Sequence, residues 1–245
     1  MITMATQKIK KINLIRELER YPIFNLKKLK EIIEKDNKYS KLVVYRLKKE
    51  KLIFEIEKNK YTTKKDSFII ASNIIWPSYI SCWSALRYYN LTEQLPQITC
   101  VITTRKRKKR EINFNNLNIK FIKTRPRYFF GYKKERYMDF NIFIAEREKA
   151  LIDSALFKKI SFLEIYEIIK NNIKDLDMNL FILYLIKIKN KALIKRFGFL
   201  FNKLGIEMPN KLEKLIDFKY VPLDYALKSK GKKDKKWRII ENVRL

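Results

Sequence analysis

The stretch from Ser67 to Tyr89, SFIIASNIIWPSYISCWSALRYY, carries one charged residue, Arg87, in a chain where 33% of all residues are charged. So apolar a run is expected to be enclosed by other parts of the fold, because leaving it in water would cost the hydrophobic free energy of each side chain. The sequence before it has a different character. This boundary predicts two units, residues 1–64 and residues 65–245, the second built around the uncharged run.

Within the first unit, Ile9, Ile12, Ile15 and Leu18 recur every three residues over 8–19 and predict a helix ending before Pro22. Asn25 is expected to cap a second helix whose Leu26, Leu29, Ile32 and Ile33 face inward. After the turn at Asp36 and Asn37, Ser40 is expected to cap a third helix, SKLVVYRLKKEKL, with Val43 and Leu47 one turn apart. Lys41, Tyr45 and Lys48 then share its opposite face. LIFEI and YTT, joined by EKNK, predict a short hairpin. Three helices and a hairpin in this order predict a winged helix-turn-helix, whose third helix can enter a DNA major groove. The candidate DNA contacts are Ser40, Lys41, Tyr45 and Lys48 in the groove, Lys38 and Lys49 near the backbone, and Lys58, Asn59 and Lys60 in the wing.

Composition favours the same partner. The chain has 245 residues, with 56 Lys and Arg against 26 Asp and Glu, a net charge of +30 that attracts polyanions. Part of that excess reflects a general over-use of Lys, Ile and Asn. With no histidine in the sequence, Ser-His-Asp and Cys-His arrangements and histidine metal sites are excluded. Gly131, Gly198, Gly205 and Gly231 are the only glycines, so neither a Walker loop nor a dinucleotide-binding loop can be assembled. Cys82 and Cys100 are expected to be buried thiols in a reducing cytoplasm. No metal and no cofactor is expected. The longest apolar runs are about half the length a bilayer-crossing helix needs, and the start lacks the apolar core of a signal peptide. A soluble cytoplasmic protein with no membrane partner is expected.

In the second unit, Pro77 breaks the uncharged run and Ser78 is expected to cap a helix over 78–89. Strands are expected over 97–104, 118–124 and 141–146, rich in Ile, Phe and Val. Six consecutive cations, Arg105, Lys106, Arg107, Lys108, Lys109 and Arg110, fall between the first two strands and form an accessory basic patch suited to phosphates or an acidic partner. Arg125, Arg127, Tyr128, Phe129, Phe130 and Tyr132 mix cations with aromatic rings in a way that could stack bases. Helices are expected over 147–157, 161–172, 176–189 and 191–203. A closing strand at 237–242 would join the small mixed sheet of 97–146. The fold class is therefore α+β: a winged helix-turn-helix followed by a larger domain with a small mixed sheet and a helical block.

Several spaced motifs resemble AbiEi-type antitoxins. In YISCWSALRYYNLTEQLP, Ser81, Ser84, Ala85, Leu86, Leu91, Thr92, Glu93, Gln94 and Pro96 fit the family's signature. Gly131 in FFGY, Glu148, Lys149 and Asp153 in AEREKALIDSAL, and Trp237 and Arg238 in the closing VPLDYALKSKGKKDKKWRIIENV follow in the family's order. Asn90 stands where the family has Gly, Arg147 where it has Pro, and the wing lacks an Arg-Gly pair. The resemblance spans most of the chain. It implies a non-enzymatic antitoxin of a type IV, AbiE-like toxin-antitoxin system acting in abortive infection, an antiviral defence. Its winged helix would repress the operon by binding double-stranded operator DNA. Its second domain would counter a nucleotidyltransferase-like toxin, often without a stable complex.

The residues alone leave two other readings open. One is a stand-alone transcriptional regulator whose sensing or dimerisation pocket is made by Arg125–Tyr132 and the strand at Trp237. The other is a metal-dependent nuclease using Asp139, Glu146, Glu148 and Lys149, which lack the usual carboxylate spacing. Lys149 and Asp153, four residues apart, are expected to pair on a helix surface for a few tenths of a kcal/mol, or to touch the toxin or RNA.

Overall fold

The computed structural model describes residues 4–245, with side chains described from Lys10 onward. Ile9, the first residue of the expected stripe, lies outside the described side chains. Helices α1 (Met4–Glu19), α2 (Leu26–Ile33) and α3 (Asn37–Lys49) are followed by strands β1 (Phe54–Glu57) and β2 (Lys60–Thr62). They enclose a small core of Leu18, Phe24, Leu29, Val44, Leu47, Ile53 and Tyr61. Ile12 is exposed, and Leu14, Ile15 and Leu18 line the inner face of α1. Asn25 caps α2, its side chain accepting from the Lys28 amide at 2.9 Å. Phe24 and Tyr61 exchange two backbone hydrogen bonds, 2.9 and 2.8 Å long, which tie the α1–α2 connection to the ribbon of β1 and β2.

The 67–89 run is enclosed except around Asn73 and Trp76, but it folds differently from expectation. Its first residues form α4 (Ser67–Asn73), capped by Asp66, whose carboxylate accepts from the Phe68 and Ile69 amides. Residues 78–81 are not the start of a helix. They form β3 (Ser78–Ser81), fully buried, and α5 (Trp83–Tyr88) begins only after Cys82, held at φ 56°. A central strand covered on both faces has no polar side to show, so its sequence does not alternate. Ser78 is therefore a strand residue, its hydroxyl donating to the Ile75 carbonyl at 2.7 Å.

β3 lies inside a six-stranded mixed sheet with β4 (Ile98–Thr103), β5 (Glu111–Phe114), β6 (Leu117–Lys123), β7 (Tyr132–Tyr137) and β8 (Phe140–Ala145), in the order β5-β6-β4-β3-β8-β7. β4 runs parallel to β6 and β3 parallel to β8, the other neighbours being antiparallel. The 105–110 segment leaves β4, crosses β6 and enters the edge strand β5. Helix α4 lies across β8, β3, β4 and β6.

The four helices expected between 147 and 203 are present as α6 (Arg147–Leu156), α7 (Phe162–Asn171), α8 (Met178–Ile188) and α9 (Lys191–Lys203). Ser161 and Glu164 cap α7 reciprocally. A short α10 (Asn210–Glu213) precedes β9 (Val221–Pro222), β10 (Lys232–Asp234) and β11 (Ile239–Glu241). These make a separate three-stranded sheet, so the strand near Trp237 does not join the main one as expected. Trp237 is instead fully buried against α9, where a Cβ on Gly198 would stand 2.4 Å from its ring. No described helix is long and apolar enough to cross a membrane.

Candidate nucleic-acid interface

Helix α3 begins one turn earlier than expected. Its cap is Asp36, which accepts from the Tyr39 amide at 2.7 Å and places a negative charge at the positive end of the helix. Ser40 consequently falls on the inner face, fully buried, with its hydroxyl donating to the Asp36 carbonyl at 2.7 Å. This removes Ser40 from the expected contact set. With Val44 and Leu47 also inside, Lys38, Lys41, Leu42, Tyr45, Lys48 and Lys49 form the outer face, and Tyr45 is 63% exposed.

The cations on that face differ in their freedom. Lys48 pairs with Glu55 of β1. Among the described residues Lys38, Lys41, Arg46 and Lys49 make no ion pair, and Arg46 extends the exposed basic surface beyond the expected set. Cations in the last turn also complement the helix dipole, for about 0.3–1 kcal/mol each. That contribution does not account for Lys38 and Lys41, which occupy the first half of the helix.

The ribbon contributes less than expected. Asn59 adopts φ 60°, a conformation Asn tolerates, and its side chain accepts from the Leu26 amide at 3.0 Å. It therefore ties the turn to the start of α2, satisfying one of the unpaired amides there. Lys60 pairs with Glu57 at 3.1 Å and donates to the Ile74 carbonyl at 2.9 Å, so it is a framework residue. Of the three expected wing contacts, Lys58 alone remains exposed and unpaired among the described residues.

The basic run is likewise divided. Arg107 pairs with Glu57, donates to the Lys109 carbonyl at 3.2 Å and stacks over Phe121 at 4.0 Å. Arg105, Lys106, Lys108, Lys109 and Arg110 are exposed. The tie between Arg107 and Glu57 was not legible in sequence, because the two are 50 residues apart.

Most residues of the spaced motifs are framework. Lys149 and Asp153 do pair, but wholly buried rather than on a surface. Lys149 donates to the Tyr79 hydroxyl at 3.0 Å, and the hydroxyls of Tyr79 and Ser81 donate to Asp153 at 3.0 and 2.9 Å. Burial raises the Asp153 carboxyl above its ordinary range and pushes the Tyr79 hydroxyl well up. A direct toxin or RNA contact by this pair is incompatible with its enclosure. Glu148 is also buried, accepting from the Asp177 amide at 2.8 Å, and desolvation raises its carboxyl. Gly131 adopts φ +68° over this cluster, where a Cβ would lie 3.0 Å from Lys149 and Tyr184.

Ser84 donates to the Ile98 carbonyl at 3.2 Å and accepts from the Cys100 amide at 3.1 Å, joining α5 to β4, while Leu86 is core. Asn90 takes φ 56°, which accounts for a Gly or Asn there. The Thr92 carbonyl accepts from Arg87 at 3.1 Å and its hydroxyl from the Gln94 amide at 3.2 Å. Glu93 is exposed, and Gln94 and Pro96 line a cavity of about 320 Å³ with Trp83, Cys100, Lys120 and Lys159. Arg238 lies over the rings of Phe218 and Tyr220.

In the expected base-stacking segment Arg125 and Arg127 are exposed, while Phe129, Phe130 and Tyr132 are half-buried and pack against the core. Tyr132 stacks on Tyr79 at 4.8 Å, Phe129 packs against both, and Phe130 meets Tyr184 edge-on at 5.2 Å. Tyr132 packs toward β3 and Trp237 against α9. The nuclease set does not converge on one point. Glu146 accepts from Tyr184, Glu148 from Asp177, and Asp139 sits in the exposed β7–β8 turn. Among the described residues no group of three or more His, Cys, Asp and Glu side chains is placed to hold a metal ion. In comparison with known proteins, the chain matches no family model and no curated protein.

Proposed function

We propose that the chain is the antitoxin of an AbiE-like, type IV toxin-antitoxin system, which represses its own operon through an N-terminal winged helix-turn-helix and counters a nucleotidyltransferase-like toxin through residues 65–245. The observation carrying the DNA-binding half is the outer face of α3: Lys38, Lys41 and Lys49, without ion-pair partners among the described residues, around an exposed Tyr45, above a small core. A helix of that width enters a major groove, its cations meeting phosphates and its central side chains meeting base edges. The antitoxin half rests on the spaced motifs that resemble AbiEi-type antitoxins. Burial gives most of those residues a framework role, so toxin-directed contacts would come from exposed members such as Glu93 and Gln94 and from the surface the rest support.

Co-expression with the neighbouring gene product tests both halves. Growth should be restored by the full chain and by residues 65–245, whereas repression of a promoter reporter should require α3. Loss of protection by the full chain would contradict the antitoxin reading. Repression that persists without α3 would contradict the DNA-binding one.

A further inference from the structure

Glu55 and Glu57 lie on β1, on either side of an irregularity in its pairing with β2. Glu55 is neutralised by Lys48 from α3, and Glu57 by Arg107 from the 105–110 loop together with Lys60. One strand thus joins the basic face of α3 to the basic 105–110 loop, its own acids already paired. A groove of about 480 Å³, lined by Lys48, Phe54, Glu55, Glu57 and Lys58, lies where β1 meets α3. Phe54 of β1 also meets Phe114 of β5 at 5.8 Å, and the Arg107 stack on Phe121 fixes the middle of the loop. The loop is therefore anchored beside β1 with Arg105, Lys106, Lys108, Lys109 and Arg110 exposed around the anchor.

We propose that the 105–110 loop is a second phosphate-binding element of the same DNA surface, so that a duplex receiving α3 in its major groove continues over β1 and onto the loop. This rests on the DNA-binding reading of α3. The loop side chains position the duplex and do not read it, since phosphate contacts carry no sequence information. Duplex DNA is the fitting partner because its closely spaced backbone charges can be followed by a continuous cationic strip.

The test compares two charge-matched variants of the full chain. One replaces Arg105, Lys106, Lys108 and Lys109 with Gln. The other replaces Lys228, Lys230, Lys232 and Lys235, equally exposed cations near the C-terminus. Binding to the promoter duplex of the chain's own operon, to a random-sequence duplex and to a single-stranded RNA is measured across salt concentrations. The loop variant should lower the salt slope by about 0.9 per lost phosphate contact and weaken both duplexes by the same factor. The C-terminal variant should leave the slope unchanged. Equal losses from the two variants, or a loop variant that binds both duplexes as the parent does, would overturn the proposal. A loop variant that keeps duplex binding and loses single-stranded RNA binding would overturn it too. If the parent shows no preference for the promoter duplex, the α3 reading fails, while the loop effect on the random duplex stays measurable.

Discussion

Two groups of Lys, Tyr and Ser side chains occupy opposite physical situations in this molecule. On α3, Lys38, Lys41 and Tyr45 stand in water with no ion-pair partner among the described residues, while Ser40 is turned inward. Beneath the six-stranded sheet, Lys149, Tyr79 and Ser81 are fully buried around Asp153, every polar atom engaged. Exposed cations contribute little to stability and are available to a polyanion. Buried ones hold the fold and are unavailable to any partner. The same residue types can therefore be separated into candidate function and framework only by burial and pairing.

That contrast is sharpest at Lys149. Lys149→Met should remove the partner of a buried carboxylate and destabilise the fold by about 3–5 kcal/mol, read from denaturant unfolding. A loss below about 1 kcal/mol would show that the network is not structural. Promoter affinity of the folded fraction should not change. A smaller effect is expected from Gly198→Ala, whose new methyl would overlap the Trp237 ring. Overpacking of this kind costs about 1–3 kcal/mol, and a Trp237 fluorescence shift should accompany it.

An intermediate case lies at Asp217, which pairs with the buried Lys195 and, at 3.4 Å, with Lys191. The Lys195 hydrogen bond, with smaller help from Lys191, holds its carboxyl down at about 2. Because the folded value is depressed, its stabilisation is fully present above the ordinary carboxylate range and lost as pH falls through about 2. Asp217→Asn should therefore differ from the parent at neutral pH and converge with it in acid. A difference that stays constant down to pH 2 would contradict this pairing.

Much of the helical architecture was legible because amphipathic helices announce their period. The helices at 147–203 begin and end within a few residues of expectation, and Asn25 caps α2 as its position implied. β3 was misread because a central strand such as Ser78–Ser81 has no exposed side to set a period of two, and Ser78 and Pro77 imitate a helix start. α4 was missed for a related reason: SFIIASN is short and buried along most of its length. At the candidate site, the basic stripe of α3 was readable from spacing, but its register depended on Asp36 rather than Ser40 as cap. Asn59, Lys60 and Arg107 carried no local sign of their ties to Leu26, Ile74 and Glu57, because those contacts join distant parts of the chain.

The proposed DNA-reading face of α3 centres on Lys41 and Tyr45. Promoter-duplex affinity is determined across salt for the parent and for Lys41→Ala with Tyr45→Ala. Both residues are exposed, so stability should stay within about 0.5 kcal/mol. The variant should bind the promoter duplex more weakly, lose much of its preference over a random duplex, and show a salt slope lower by about 0.9 for the lost phosphate contact. Unchanged affinity and preference at every salt concentration would contradict the account.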